Sequence, residues 1–430
     1  MVHQILHNLY RFIKTVFWRM PPFLRSFLQG PRYILVRWFR GLSFDHRGQK
    51  NTSTMGADLD WPEFKEHVLD HRKNYKGIFV QEIGYDWNVL LFQRPHHMSI
   101  ALGRLGYLVI YKTDNWSGDN VNGFREVSEN VWLTNRHEID GIKGIVRSFY
   151  STSHLNRPES LVANGKRGIL IYEYIDHIDP EISGDATNIK RLLTLKKFAF
   201  EGGVDYVVCS AKRLYDEALE AVGRDKVLLV PNGVDTIHYR DPGHKKANLV
   251  ESLIVFKKKH RYIIGYFGAL APWIWYDMIR ELVTIRPDCG FVFIGPDYNG
   301  AVYQLPKARN LLYLGAIDYK ILPAYANQFD VCFIPFKPGE VARATSPLKL
   351  FEYFALEKPV VVTQDMLECL SFKEVFHGDS ALGLSSAIDQ AIQVKDDPLF
   401  RSRLAQLADE NDWNQRAKSL EVVFKALTPH

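Results

Sequence analysis

The sequence predicts an α/β protein of two doubly wound parallel-sheet domains that face each other across a cleft, with a basic amphipathic extension in front. Three observations predict it. Short apolar runs alternate with amphipathic helical stretches from Gly77 onward, and the cycle restarts at Tyr262. A chain of 430 residues, 46% hydrophobic and 24% charged, is long enough to bury two cores. The expected divisions are 1–50 for the extension, 74–240 and 241–405 for the two Rossmann-like domains, and 406–430 for a closing helix.

The extension comes first. Ile5, Leu6, Leu9, Phe12, Ile13, Val16 and Phe17 share one helical face, and Pro21-Pro22 ends that helix. Residues 1–44 carry seven basic side chains and no acidic one, so a net charge of +5 for the whole chain leaves −2 for the rest. That local charge argues against a nucleic-acid-coating protein and for an anionic membrane surface met through residues 1–44. Packing on the protein's own body is the alternative. Arginines interrupt every apolar stretch, which excludes a signal peptide, and none reaches the roughly 20 residues of a membrane span. The expected location is cytoplasmic, peripheral on the inner face of the membrane.

In the first domain, Ile78 to Val80 reads as a strand and Gly84-Tyr85 as the turn after it. A helix is predicted over 95–105, then strands at 107–111, 168–174, 204–209 and 227–230, with a long helix ending near Gly202-Gly203. Asp241 to Lys259, with Pro242-Gly243, reads as the linker. In the second domain, strands are predicted at 262–267, 291–295, 312–315, 331–335 and 359–363. Ligands of such sheets bind beyond the carboxyl ends of the strands, so two facing sheets place a site in the cleft.

The four cysteines stand far apart, which indicates neither a zinc site nor a disulfide framework. The one D-x-D, Asp58-Leu59-Asp60, precedes the first strand and reads as linker, so no metal site is expected. The richest segment is Arg343-Ala344-Thr345-Ser346-Pro347-Leu348-Lys349-Leu350-Phe351-Glu352. Ser346 suits an N-cap and Pro347 the first helical position, and free N–H groups there bind phosphate. Lys349 in the first turn opposes the helix dipole unless an anion is bound. Arg343 offers a second cation, and Glu352 can accept hydrogen bonds from a ribose. The alternative is a Lys349–Glu352 surface pair.

This segment resembles the nucleotide-sugar site of GT-B glycosyltransferases in the family-four-like retaining group, "glycosyltransferase group 1", in the branch that builds bacterial surface polysaccharides. Three further blocks agree: Ile264 to Leu270, Leu229 to Asp235, and Gln93-Arg94-Pro95-His96-His97. The resemblance implies donor binding by Gly268, Arg343, Thr345, Ser346, Leu348, Lys349 and Glu352. It also implies transfer from a nucleoside-diphosphate sugar, without metal or other cofactor, to a glycan or lipid-linked glycan, and a last helix around 413–427 that crosses back to the first domain. Two positions depart from the family's pattern. Ala344 stands where a glutamate is usual, and Ala269 to Trp273 replace a loop that usually carries an arginine and a lysine. They leave the donor and the stereochemistry open.

On the acceptor side, Asp176 is the first choice for contacting the acceptor hydroxyl or the transferred sugar, with Glu173 second; an acidic helix cap is the alternative. Gly84, Arg94, His97 and Asn232 are candidates for the acceptor or for contacts across the cleft, against surface positions for Arg94 and His97 and a structural turn at Asn232. A sugar-nucleotide epimerase of similar fold and a non-catalytic, membrane-associated sugar-binding subunit are the competing functions.

Overall fold

The computed structural model describes residues 58–427 apart from 83, 90, 117, 164–167 and 299. The amphipathic extension and its expected membrane contact lie outside the described residues. Among those described, no helix is long and apolar enough to cross a membrane.

Two sheets organise the chain. The first has the order β3-β4-β2-β1-β5-β6-β7-β8. Its strands are β1 (Ile78–Gln81), β2 (Leu108–Lys112), β3 (Phe124–Ser128), β4 (Val131–Thr134), β5 (Val146–Tyr150), β6 (Ile169–Tyr174), β7 (Tyr206–Cys209) and β8 (Val227–Leu229). All neighbours run parallel except the edge pair β3 and β4. The second sheet has the order β11-β10-β9-β12-β13-β14 and is parallel throughout. Its strands are β9 (Tyr262–Phe267), β10 (Cys289–Ile294), β11 (Leu311–Tyr313), β12 (Val331–Ile334), β13 (Val360–Thr363) and β14 (Val375–Gly378). The central strands are buried along their whole length, as helices on both faces of a parallel sheet require.

Four strands escaped the sequence reading, each for a visible reason. Strand β3 is buried only at Phe124 and carries Arg125 and Glu126. Short β4, next to that edge, has a half-buried tryptophan at its second position. Strand β5 interrupts its apolar run with Arg147 and Ser148, both buried. Arg147 lies against Glu82 and 3.1 Å from Asp140, and Lys112 pairs with Glu82 at 2.9 Å, so the burial of these charges is compensated. Strand β14 is short and holds a histidine.

Two expectations about connections change. Residues 241–259 are not a bare linker: Glu251–Lys259 is a helix whose Leu253 and Phe256 enter the second core. Asp58-Leu59-Asp60 is part of the fold. Leu59 bridges Phe124, Asp58 pairs with Arg125 at 2.6 Å, and Asp60 caps the helix Trp61–Phe64.

Three helices matter for the site: α1 (Arg94–Arg104), α2 (Leu348–Ala355) and α3 (Trp413–Ser419). Helix α3 packs on α1, and Trp413, Ala417 and Leu420 join the core of the first sheet. The chain thus passes between the lobes twice, and the two passages are bonded side by side. Val234 N–H donates to Asn411 O at 3.1 Å, and Trp413 N–H donates to Val234 O at 3.0 Å.

Candidate functional site

The order of each sheet reverses once: at β1/β5 in the first and at β9/β12 in the second. A crevice opens at such a point beyond the carboxyl ends of the strands. In the second lobe, Gly268 follows β9 with φ of 138°, a conformation that strongly favours glycine. A Cβ here would lie 2.8 Å from Lys349 Cε, so the missing side chain is what lets the lysine lie across the strand end. Gly295, after β10, comes so close that a Cβ would sit 1.9 Å from Gly268 O.

Lys349 Nζ lies 5.5 Å from the Tyr266 ring centre and 5.3 Å from that of Phe336. Burial pulls its pKa down, and the Glu352 carboxylate counters this. Glu352, one turn along α2, is only 6% exposed. Burial pushes its pKa up to about 7, with Tyr239 and Lys349 acting against the shift. The two do not form the exposed surface pair considered above. They are an ammonium and a carboxylate on one face of α2, each desolvated and neither closed on a salt bridge among the described residues.

Ser346 and Pro347 need correction. Helix α2 begins at Leu348 with Pro347 in the extended cap position, and no side chain caps it. Ser346 faces the other lobe instead: its Oγ accepts from Asn232 N–H at 3.3 Å, and its carbonyl accepts from Asn232 Nδ2 at 2.6 Å. The start of α2 is left without a side-chain acceptor beside Lys349. Arg343 is already engaged, with Asp365 at 2.9 Å and Glu340 at 3.1 Å. Thr345 Oγ1 donates to Val341 O at 2.5 Å. Leu348 packs against the core of the first sheet. Ala344, 1% exposed, sits in an apolar cluster with Tyr172, Cys209 and Ala211 of the first lobe, where a glutamate would be an unpaired buried charge.

In the first lobe the candidate charges are spent on each other. Arg94 and Glu173 are 2% and 0% exposed, and Arg94 Nε donates to Glu173 Oε2 at 2.7 Å. Arg94 Nη1 donates to Pro231 O at 3.2 Å and Asn232 Oδ1 at 3.1 Å, while Ser148 Oγ donates to Glu173 Oε1 at 3.1 Å. Glu173 is therefore the counter-ion of Arg94 and not an open acid, and Arg94 is no surface residue. Asn232 is more than a turn: with Arg94 on one side and Ser346 on the other, it ties the lobes together.

His97 is also corrected. It is 3% exposed and stacked on Trp413 at 5.3 Å, and burial pulls its pKa down to about 3, so it carries no charge near neutrality. Asp176 remains open. It follows β6, is half-buried, and accepts no hydrogen bond from the described residues. Burial raises its pKa to about 6. Gly84 lies buried in the loop after β1, at the same carboxyl edge.

The structure thus sets Lys349 against Gly268 at the carboxyl end of β9 with Glu352 one turn along α2, and joins Arg94, Glu173, Asn232 and Ser346 into one buried network. Sequence reasoning missed Tyr266 and Phe336 beside the lysine and Ser148 behind Glu173. A signal existed for Phe336, which directly follows a predicted strand end.

No family model matches the chain. A Bacillus subtilis (strain 168) protein that bears the name of a teichuronic acid biosynthesis glycosyltransferase, TuaH, is 28% identical over 219 residues, 49% of this chain and 54% of the relative. The match thus spans about half the length of each. Among solved structures, Escherichia coli trehalose-6-phosphate synthase bound to UDP-2-fluoro-glucose superimposes with a TM-score of 0.60 at 13% identity, over 82% of this chain and 100% of the other. Anabaena HepE in complex with UDP gives 0.53 at 14% identity, over 81% and 99%. The chain has the GT-B fold, as these neighbours do.

Proposed function

We propose that the protein is a glycosyltransferase that moves a sugar from a nucleoside-diphosphate sugar, with UDP as the leading nucleotide, to a hydroxyl of a glycan or lipid-linked glycan. The observation that carries this is the crevice at the β9/β12 switch point. There the Lys349 ammonium lies against a glycine that leaves it room, in the first turn of a helix whose start no side chain caps, and the buried Glu352 carboxylate follows one turn later. The ammonium and the helix start suit a diphosphate, and the carboxylate suits the hydroxyls of a ribose.

In this reading the bond between the anomeric carbon and the diphosphate oxygen breaks while negative charge grows on the leaving group. Lys349 and the α2 amides, aimed there in advance, stabilise that charge without a metal. The acceptor oxygen then bonds to the anomeric carbon with retention. Its proton passes to the Asp176 carboxylate, which is ionised at neutral pH. The names of the relatives support this reading: two solved neighbours hold UDP or a UDP-sugar analogue, and the sequence relative belongs to polysaccharide synthesis. Residues 1–44 would hold the enzyme on the cytoplasmic face of an anionic membrane.

The test is calorimetry with UDP and its common sugar conjugates, followed by an assay for UDP release with and without polysaccharide acceptors. Micromolar binding with acceptor-dependent release is expected. Absence of binding to every nucleoside diphosphate would refute the donor site; binding without turnover would favour a non-catalytic sugar-binding subunit.

A further inference from the structure

The first sheet has its own switch point, and the loops around it hold side chains that the proposed chemistry leaves unused. Tyr85 follows β1, Trp116 follows β2, and Thr152 and His154 follow β5, so all four stand at the carboxyl edge of parallel strands. The Tyr85 hydroxyl lies 3.3 Å from Thr152 Oγ1. The Trp116 and His154 rings pair with centroids 5.0 Å apart. Trp116 is 69% exposed.

A single exposed apolar side chain is ordinary. This one is held out by a braced loop. Asn115, at φ 57°, exchanges hydrogen bonds of 3.0 and 2.9 Å with the Val121 backbone. Asp119, 1% exposed, accepts from Trp87 N–H at 2.8 Å, Asn88 N–H at 2.7 Å and Thr113 Oγ1 at 2.6 Å. Thr113 Oγ1 also approaches Asp86 Oδ1 at 2.9 Å. Asn115 and Asp119 are thus anchored on either side of Trp116 in the chain, and the indole between them faces solvent.

The surroundings narrow the ligand class. Exposed Asp114 neighbours His154, whose pKa is held below its ordinary value by burial and by Arg191. Arg191 is consumed: it donates to Asn188 Oδ1 at 2.6 Å, to Leu155 O at 3.1 Å and to Ser153 O. The rim therefore offers a flat aromatic face, a neutral imidazole, a hydroxyl and a carboxylate. That set fits a pyranose, whose C–H face stacks on a ring while its hydroxyls are bonded at the edge. Anionic headgroups are disfavoured by the same carboxylate.

We infer that Trp116 and His154 form a sugar-stacking subsite for a neutral pyranose of the acceptor glycan. The acceptor role rests on the glycosyltransferase reading; the sugar contact does not. The test uses the full-length protein with maltotriose, cellotriose and chitotriose in saturation-transfer NMR, and UDP in a parallel thermal-shift series. At least one trisaccharide should receive saturation at its ring protons. Trp116→Ala should weaken it tenfold or more, Trp116→Phe should keep most of it, and the UDP shift should be the same in all three proteins. No binding to wild type, or equal binding to Trp116→Ala, overturns the subsite even where UDP still binds. Sugar binding that depends on Trp116 without any UDP shift leaves the subsite and removes the donor reading. Loss of phosphatidylcholine-vesicle binding in Trp116→Ala, with trisaccharide binding intact, makes the residue a lipid contact and overturns the inference.

Discussion

The two lobes carry similar charged pairs to opposite ends. In the first, Arg94 and Glu173 close on each other at 2.7 Å, with Pro231 O and Asn232 Oδ1 accepting from Arg94 Nη1 and Ser148 Oγ donating to Glu173. In the second, Lys349 and Glu352 are desolvated without closing, beside a helix start that no side chain caps. A satisfied buried pair specifies structure, whereas an open one stores desolvation free energy that a ligand of the right charge can relieve. Burial alone does not separate the two; the hydrogen-bond partners do.

The largest effect should come from breaking the closed pair. Arg94→Ala leaves Glu173 buried without a counter-ion and should cost about 3–5 kcal/mol in urea unfolding. Arg94→Met with Glu173→Leu should recover much of that. A double variant as unstable as the single would show that the contacts of Arg94 to Pro231 and Asn232, and not the ion pair, carry the stability.

Opening the second pair further should act on binding instead. Lys349→Met removes a charge-assisted bond of roughly 1.5–3 kcal/mol to diphosphate, so UDP affinity should fall about 10- to 100-fold with the melting temperature of the free protein unchanged or raised. Unaltered UDP affinity would place the diphosphate elsewhere.

Glu352→Gln sharpens the contrast through pH. A carboxyl with its folded pKa raised from 4.5 to about 7 binds more protons folded than unfolded, so it lowers stability as pH rises across that window. At pH 8 Glu352→Gln should therefore melt higher than wild type, by a few degrees, while binding UDP more weakly. Equal melting at pH 8 would mean that the carboxylate is compensated after all.

The smallest effect concerns contacts that span the cleft at its surface. Arg213 meets Glu340 at 2.5 Å, and Lys337 meets Glu181. These are exposed or half-exposed pairs, so Arg213→Ala should cost at most about 1 kcal/mol and salt should erase the difference. A larger, salt-resistant loss would assign the pair a part in holding the lobes closed.

Strand periodicity made most of the parallel architecture legible, because strands covered on both faces are apolar throughout: Tyr262 to Phe267 needed no neighbour to be recognised. Strand β5 was hidden because its Arg147 and Ser148 are acceptable only beside Glu82, Asp140 and Glu173, partners from other parts of the chain. The helix Glu251–Lys259 was hidden by its charge, although Leu253 and Phe256 carry the i, i+3 spacing of a buried face.

The site divides in the same way. Glycine at 268, a lysine in the first turn of a helix and a carboxylate one turn later are local chemistry, and the sequence by itself determined them. Which charges stay open was decided by the tertiary structure alone. Arg94 met Glu173 across 79 positions, and Ser346 gave up its capping place to bond Asn232 across 114. His97 lost its charge under Trp413. Side-chain type sets what a group can do, but desolvation and the partner it finds set what it does, and both are properties of the folded chain.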